Sequence, residues 1–443
     1  MHKEVSYSSA LLFSKTLDQY DNIVYFHSAK QHEKVGRYSF IALDPFKIWT
    51  ADLHESDELF SFLSAELKQY QTETIANLPP FQGGLAGFIS YDIARSIENL
   101  PNIATEDIAY PVLILGYYDL VISFDHIKLK AWIISNGLKE YAETRLKHLE
   151  EKILNATENK VFSTITIAEN KIISNFTRSD YIKAVNNIKN YIAEGDIFEA
   201  NLSQRFECEL PKDFKPFQLF EKICRYNPAP FASYIKFGAL SIISSSPERF
   251  IKINKNAVET RPIKGTIRRS LDLSEDKKLA AILASSEKDR AENMMIVDLM
   301  RNDLSKVCLP HSVIVSQLCQ IESFENVHHL VSVIHGKLSS ENNIADLLKA
   351  TLPGGSITGA PKIRAMEIID ELEPTRRGPY CGNAIYMGFD GSMDSSIIIR
   401  SYVIAENKIT FQAGGAIVLD SDSEQEYEET IIKSSLLRRA LIT

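Results

Sequence analysis

Arg261-Pro262-Ile263-Lys264-Gly265-Thr266 places a lysine between a proline and a glycine, directly after a stretch that alternates like a strand. Pro262 lacks a backbone donor and has a fixed φ, and Gly265 can adopt backbone geometry that other residues hold only at a cost. A lysine between two such residues is held in one direction more easily than a lysine in a free loop. On this stretch alone, a turn with an exposed lysine is the simpler interpretation. The rest of the chain has to show whether the lysine belongs to a functional site instead.

An acid is predicted to approach this lysine from the preceding hairpin, which covers residues 240–260 and turns at Asn254-Lys255-Asn256. If the turn is centred on Lys255, Glu248 lies opposite Pro262 and diagonal to Lys264, on the same face. Because an ordinary lysine is charged at pH 7, a nucleophilic Lys264 needs a lowered pKa, which burial near a metal ion would supply. A surface salt bridge between Glu248 and Lys264 is the alternative.

Two predicted helices, residues 287–304 and 423–441, each contain two acids three residues apart on one face. The pairs are Asp289 with Glu292 and Glu426 with Glu429, and Lys433 continues the second face. Like charges at this spacing repel each other, and carboxylates without Cys or His neighbours are ligands that suit Mg²⁺. The sequence therefore predicts a magnesium site, with two solvated helix faces as the alternative.

Three further stretches have the composition of an anion site. Residues 354–362, Gly-Gly-Ser-Ile-Thr-Gly-Ala-Pro-Lys, form a loop that leads into a helix, and such loops direct backbone N–H groups at a carboxylate or phosphate. Ala413-Gly414-Gly415-Ala416 is predicted to be a second glycine-rich turn, and Arg400 ends an apolar strand, where it needs an anionic partner. His328-His329 precedes an apolar run, where histidines that pack in the core are the usual interpretation.

Size and composition limit the class of protein. The 443 residues allow two or three domains, and the polar stretch 155–164 suggests a boundary between residues 1–155 and residues 170–443. The net charge of −9 argues against binding to nucleic acid or to anionic membranes. The five cysteines include no CxxC pair, and the apolar runs are too short for a signal-peptide core or a membrane span, so a cytoplasmic protein is expected.

Together these stretches resemble the chorismate-utilising enzymes, the family of the large components of anthranilate synthase and aminodeoxychorismate synthase. The similarity runs from about Tyr181 to Lys433, with its motifs in order. The motifs lie at residues 195–198, 246–250, 262–266, 289–293, 298–303, 328–332, 354–362, 399–401 and 426–433. The resemblance implies an α/β fold in which two antiparallel sheets pack face to face, flanked by helices, with the site in the cleft. Residues 170–443 would be the chorismate-binding catalytic domain, and residues 1–155 resemble the family's first domain more weakly.

The resemblance also implies a reaction. A lysine within Pro-Ile-Lys-Gly-Thr is similar to the aminodeoxychorismate synthase branch, in which ammonia replaces the C4 hydroxyl of chorismate. Lys264 would add at C2 as the hydroxyl leaves, and ammonia would then attack C4 and expel the lysine. Glu248 would be the general acid and base, and His329 would lie near the leaving hydroxyl.

The same resemblance implies how metal and substrate would be held. Glu292 and Glu429 would bind Mg²⁺ on the ring carboxylate, with Asp289 and Glu426 acting through water. The remaining implied substrate-binding residues are Arg400, Tyr386, Ser356 and Lys433, together with the amides of Gly414, Gly415 and Ala416. Two positions depart from the family pattern: Glu199, where many relatives have glutamine, and Asp289, where anthranilate synthases have glutamate.

The ammonia has to come from outside this sequence, because no Cys-His pair in it suits the hydrolysis of glutamine. It would come from solution or from a separate glutamine amidotransferase subunit, with which the chain would form a heterodimer. Two alternatives stay open. One is an anthranilate synthase component, which aminates another carbon and releases pyruvate. The other is a non-catalytic chorismate-binding or scaffold protein that has kept the fold.

Overall fold

The computed structural model describes residues 1–31, 35–53, 58–157, 166–324 and 327–442. These residues form 22 β-strands and ten α-helices. The strands are β1 (His2–Val5), β2 (Asn22–His27), β3 (Tyr38–Leu43), β4 (Lys47–Ala51), β5 (Gly84–Ile89), β6 (Leu113–Tyr118), β7 (Leu120–Asp125), β8 (Lys130–Ser135), β9 (Ile173–Ser174), β10 (Glu199–Glu209), β11 (Phe231–Phe237), β12 (Leu240–Ser246), β13 (Arg249–Asn254), β14 (Ala257–Thr260), β15 (Ile263–Arg268), β16 (Ile314–Ser323), β17 (Val327–Lys337), β18 (Gly359–Ala360), β19 (Asn383–Gly388), β20 (Met393–Ile397), β21 (Ser401–Ala405) and β22 (Lys408–Ile417). The helices are α1 (Tyr7–Phe13), α2 (Leu59–Gln69), α3 (Ala142–Leu154), α4 (Arg178–Ala193), α5 (Pro216–Tyr226), α6 (Leu273–Ser285), α7 (Glu287–Ser305), α8 (Ile344–Thr351), α9 (Lys362–Leu372) and α10 (Ser423–Ile442).

The strands form two antiparallel sheets, of twelve and ten strands. The first sheet has the order β1-β8-β7-β3-β2-β11-β12-β21-β22-β10-β18, with β9 paired to β10. The second has the order β15-β17-β14-β13-β20-β19-β5-β6-β4, with β16 paired to β17. Both sheets combine strands from the first 155 residues with strands from the rest of the chain. The predicted boundary falls largely on residues 158–165, outside the described residues, so the division into two domains stays a prediction.

The two sheets pack face to face, because apolar side chains of both share one buried cluster. Val24 and Ile242 of the first sheet contact this cluster from one side, and Phe88 and Ala384 of the second sheet contact it from the other. Burial of each large apolar side chain contributes about 1.5–3 kcal/mol. Helices α5 and α10 cover the outer face of the first sheet, and α7 and α8 cover that of the second. The predicted fold class is confirmed.

The two predicted helices are confirmed almost to the residue, as α7 and α10. Their sequences have a clear period and clear ends. Helix α7, for example, begins after Ser286, whose Oγ accepts a hydrogen bond from the backbone N–H of Asp289, three residues on. Of the described helices, none is long and apolar enough to cross a membrane.

The predicted hairpin over residues 240–260 is wrong in its extent: β12 lies in the first sheet, and only β13 and β14 form a hairpin, in the second. Its turn has two central residues, Lys255 and Asn256, both with positive φ (49° and 65°). This turn type fits the twist of the flanking strands. Ile251 therefore pairs with Thr260, which shifts the predicted register of the hairpin by one residue.

Two of the short links at which the chain passes from one sheet to the other contain a predicted site residue. Glu248 lies between β12 of the first sheet and β13 of the second. Arg400 lies between β20 of the second sheet and β21 of the first, with φ 50°, so it does not end a strand as predicted. Because both links join the two layers, both side chains start from the boundary between the sheets.

Candidate active site

Lys264 lies on β15 and is buried, so the interpretation as an exposed turn is wrong. Its Nζ donates a 2.8 Å hydrogen bond to Oε1 of Glu199 and lies 3.9 Å from Oε2 of Glu292. Burial lowers the pKa of Lys264, but the charges of Glu199, Glu292 and Glu248 outweigh burial and raise the pKa above its usual value. The expected lowering of this pKa is therefore not produced by the protein side chains alone. Neutralisation of the surrounding carboxylates would act in the required direction.

A bulge in β15 explains why a glycine follows the lysine. The register between β15 and β17 shifts between Lys264 and Thr266, and Gly265 at this bulge has φ 76°. A Cβ atom at Gly265 would lie 2.9 Å from Cγ of Asp289. Only glycine therefore allows α7 to pack this closely against the strand that contains the lysine.

Glu248 is a buried acid next to the lysine. Its Oε1 accepts a 2.7 Å hydrogen bond from Oγ of Ser356, and its carboxylate also accepts one from the backbone N–H of Ile263. Burial raises the pKa of Glu248 to about 7, although Ser356, Lys264 and Arg400 act in the opposite direction. A carboxyl group with this pKa can both give and take a proton at neutral pH.

Arg400 lies close to Glu248, and His329 lies close to Arg400. Burial lowers the pKa of Arg400, while the charge of Glu248 raises it. Within the described residues the guanidinium forms no ion pair or hydrogen bond, which leaves it available to an anionic ligand. His329 on β17 has its Nδ1 2.8 Å from Oγ1 of Thr266. Burial and the charge of Arg400 lower the pKa of His329 to about 3, so its imidazole is neutral.

The acids of α7 face the lysine. Glu292 is buried, and its Oε1 has no hydrogen-bond partner among the described residues. Burial raises the pKa of Glu292 to about 7, although the charge of Lys264 lowers it. A buried carboxylate oxygen without a partner is costly unless a ligand contacts it. Asp289 lies in the first turn of the same helix, beside Gly265.

The acids of α10 face the glycines of β22. A Cβ atom at Gly415 would lie 3.3 Å from Oε2 of Glu426 and 3.8 Å from Oε1 of Glu429. Lys433 pairs with Glu429 at 2.6 Å and donates a 3.0 Å hydrogen bond to the carbonyl oxygen of Gly414. Burial raises the pKa of Glu429, but the charge and hydrogen bond of Lys433, together with the charges of Lys288 and Lys264, outweigh burial and lower the pKa.

Lys288 on α7 lies near acids of both helices. Its Nζ lies 3.7 Å from Oε1 of Glu426, and its charge lowers the pKa values of both Glu292 and Glu429. In the described parts of the chain, no three His, Cys, Asp or Glu side chains form a ready-made metal cage. Mg²⁺ does not need one, because it binds one or two protein carboxylates and completes its shell with water and substrate oxygens. The unpartnered oxygen of Glu292 fits such an ion.

The glycine-rich stretch 413–416 is part of β22 and not the predicted turn. Gly414 is opposite Ser203 of β10, where a Cβ atom would lie 2.3 Å from the carbonyl oxygen of Leu202. On its other edge β22 pairs with β21 only as far as Phe411. Beyond Phe411 no described strand pairs with that edge, so its amides can bind a ligand, close to the start of β21.

Tyr386 is not brought together with the other predicted site residues. Its ring stacks on Phe81 at 4.6 Å and contacts the rings of Phe26 and Phe40. It lines a separate cavity of about 310 Å³, whose wall also includes Arg249. The side chain faces the packed layer between the sheets because it shares the inner face of β19 with Ala384.

Glu199 is the residue whose role the sequence left open. It is the first residue of β10, is fully buried, and is the hydrogen-bonded partner of Lys264. The only signal in the sequence was its departure from the family pattern, an acid where many relatives have glutamine. Its partner lies 65 residues further along the chain, a distance that no local pattern spans.

The site combines the acid of Glu248, which can transfer a proton, with the buried amine of Lys264 and with Arg400, which has no ion pair among the described residues. Such a combination at the boundary between two sheets is typical of an enzyme that acts on a small carboxylate substrate. The chain belongs to the chorismate binding enzyme family, whose sequence model matches residues 21–439. It is therefore a chorismate-utilising enzyme, as its motifs predicted.

Particular relatives are similar over nearly the whole chain. The chain is 44% identical over 420 residues to aminodeoxychorismate synthase component 1 of Salmonella typhimurium, covering 92% of this chain and 90% of the relative. It is 36% identical over 441 residues to anthranilate synthase component 1 of Acetivibrio thermocellus, covering 94% and 89%. Its fold is similar to the crystal structure of anthranilate synthase component I from Streptococcus pneumoniae, with a TM-score of 0.79 and 31% identity over 92% of this chain and 93% of that one.

Proposed function

We propose that this protein is the large component of an aminodeoxychorismate synthase. It would replace the C4 hydroxyl of chorismate with ammonia and give 4-amino-4-deoxychorismate, for p-aminobenzoate and folate biosynthesis. The observation that carries the proposal is the buried amine of Lys264 next to Glu248, a buried acid whose pKa is about 7. The relatives at 43–44% identity that have this name support it, and the anthranilate synthase relative cited above is less similar.

The first displacement joins Lys264 to the ring. The ammonium group loses a proton to a neighbouring carboxylate, and the free amine forms a bond to C2. The two ring double bonds shift, and the C4–O bond breaks. The acid form of Glu248 gives its proton to the leaving oxygen, which departs as water. Neutral His329 takes no part as an acid. It would serve as a hydrogen-bonding neighbour of the leaving group.

The second displacement releases Lys264. Ammonia forms a bond to C4, the double bonds shift back, and the C2–N bond breaks. The freed amine then takes back its proton from the carboxyl group that received it in the first displacement. The carboxylate of Glu248 takes one proton from the new C4 ammonium group and so returns to its acid form. The sum of both steps consumes chorismate and ammonia and produces aminodeoxychorismate and water. Two displacements on the same ring system are each easier than one direct exchange at C4.

Side chains and backbone groups at the cleft would hold the substrate. Arg400 and the free amides of β22 would bind the enolpyruvyl carboxylate, and Ser356 and Lys433 would complete the pocket. Glu292 and Glu429 would hold Mg²⁺, with Asp289 and Glu426 in support through water. When bound, this ion would supply positive charge for the ring carboxylate. Tyr386 is left out of the proposed site because it lines another cavity.

Product identification tests the proposal directly. With chorismate, Mg²⁺ and ammonium, the purified chain should make 4-amino-4-deoxychorismate with its enolpyruvyl group retained. With glutamine in place of ammonium it should make no product, because the sequence offers no Cys-His pair for glutamine hydrolysis. A glutamine amidotransferase partner should restore the use of glutamine. Chromatography of the products decides: anthranilate as main product would mean the other branch, and glutamine-dependent product from the chain alone would contradict the need for a partner.

The pKa of Glu248 predicts the dependence of the rate on pH. At a constant concentration of free ammonia, kcat/KM for chorismate should fall as pH rises above about 7, because the acid form that protonates the leaving hydroxyl is lost. Ser356→Ala removes a hydrogen bond that lowers this pKa, so the falling limb should move to higher pH. A falling limb at the same pH in both proteins would exclude Glu248 as the group that titrates.

A further inference from the structure

The amine of Lys264 lies between two buried acids at unequal distances. It makes a direct hydrogen bond of 2.8 Å with Glu199, while its distance to Glu292, 3.9 Å, is too long for one. Each acid has one oxygen without a hydrogen-bond partner among the described residues, Oε2 of Glu199 and Oε1 of Glu292. One amine is thus the cationic neighbour of two buried carboxylates. The carboxylate that it does not bind directly is left for another cation.

The backbone of Glu199 is held firmly where β10 begins. Glu199 pairs with Ala360 of β18, and the neighbouring Gly359 leaves no room for a side chain, since a Cβ atom there would lie 2.1 Å from the carbonyl oxygen of Glu199. Nδ2 of Asn201 lies 3.5 Å from the same Oε1 that accepts from Lys264. The carboxylate of Glu199 is therefore a fixed acceptor and not a mobile surface acid.

We propose that Glu199 is a positioning residue: by binding the amine of Lys264, it keeps that amine off Glu292 and leaves Glu292 free to bind a divalent cation. The inference rests on the magnesium site of the proposed function. Without a charge at position 199, Glu292 is the nearest remaining partner for the amine. An ion pair between Lys264 and Glu292 would occupy the carboxylate that the metal needs and add a positive charge beside it.

Metal binding to the substrate-free protein measures this effect without any turnover. Mn²⁺ is the probe, and the loss of its free electron paramagnetic resonance signal gives the Kd. Glu199→Gln keeps the size of the side chain but removes the charge, and it should raise the Kd about 10-fold or more. In a Lys264→Met background there is no amine to be released, so the same change should alter the Kd by less than about threefold.

Glu199→Asp separates charge from packing. Aspartate fills the site less well than glutamine but keeps the negative charge near Lys264, so it should bind Mn²⁺ more tightly than the glutamine variant. A purely structural role predicts the reverse order, with glutamine harmless and aspartate harmful. Thermal unfolding of each variant, measured without metal, checks that the fold is kept.

Three results would overturn the inference: an unchanged Kd in Glu199→Gln, an equal loss in the wild-type and Lys264→Met backgrounds, or the reverse order of aspartate and glutamine. Glu292→Gln is the control for the site itself. If Glu292→Gln binds Mn²⁺ like the wild type, the magnesium site is misassigned and the inference fails with it. The product assay with ammonium is independent of this outcome, so a failure of the proposed reaction is recognised separately.

Discussion

Replacement of Lys264 by alanine is expected to stop the formation of 4-amino-4-deoxychorismate, with a loss of turnover on the order of a thousandfold or more. Lys264 determines where ammonia attacks the ring as well as how fast the reaction proceeds. A side chain bonded at C2 blocks that carbon and directs the external amine to C4. Without it, ammonia can add at C2 instead. The small residual activity of Lys264→Ala should therefore give 2-amino-2-deoxyisochorismate or, after loss of pyruvate, anthranilate.

Intact-protein mass spectrometry tests the covalent step. Wild type incubated with chorismate and Mg²⁺ but without ammonium should show an adduct, and Lys264→Ala should show none. Lys252→Ala is a matched control: this lysine lies on β13 beside the separate cavity, and its loss should leave rate, product and adduct unchanged. If Lys264→Ala keeps the wild-type rate and product, the covalent role of the lysine is refuted although the family assignment stands.

The neighbourhood of Lys264 shows what the sequence could predict. Proline and glycine on either side indicated a lysine held in one direction, and the structure has it buried at a bulge that only glycine allows. Helices α7 and α10 were predicted within a residue or two because their periods and ends are local properties of the chain. The positions of their acids on one face followed from the spacing alone.

Contacts between distant segments could not be predicted in the same way. The hydrogen bond from Lys264 to Glu199 joins β15 of one sheet to β10 of the other, and no local pattern shows which sheet a strand enters. For the same reason β12 and β13 were predicted as one arm of a single hairpin, although the chain changes sheets between them. A motif likewise fixes a residue type but not its direction, and Tyr386 points into the layer between the sheets.

The glycines of β22 are a third case. Two adjacent glycines favour a turn when read locally, but here they lie in a strand that packs against α10. Because the glycines lack side chains, the acids of α10 can approach the strand. The sequence alone predicted a turn at these glycines, although they are part of the site. Only the position of α10, which begins six residues after β22 ends, decides between the two interpretations.

Loss of either proposed metal ligand should remove most of the activity while the fold survives. We expect Glu292→Ala and Glu429→Ala to lower turnover about 100-fold or more, because the charge of the ring carboxylate would no longer be neutralised. Initial rates measured over a range of Mg²⁺ concentrations give the effect. Glu428→Ala is the matched control on α10: Glu428 is exposed and pairs with Arg178 at the surface, so its loss should change little.

Thermal unfolding gives a second measurement of the same site. A ligand that binds only the native state stabilises it, so Mg²⁺ should raise the Tm of the wild type. It should not raise the Tm of Glu292→Ala, whose metal-free fold should be at least as stable, because a buried carboxylate oxygen without a partner has been removed. Glu429→Ala has a different cost, since it also leaves Lys433 without its partner at 2.6 Å. Full activity of the wild type in excess chelator would refute the magnesium site, whatever the two variants do.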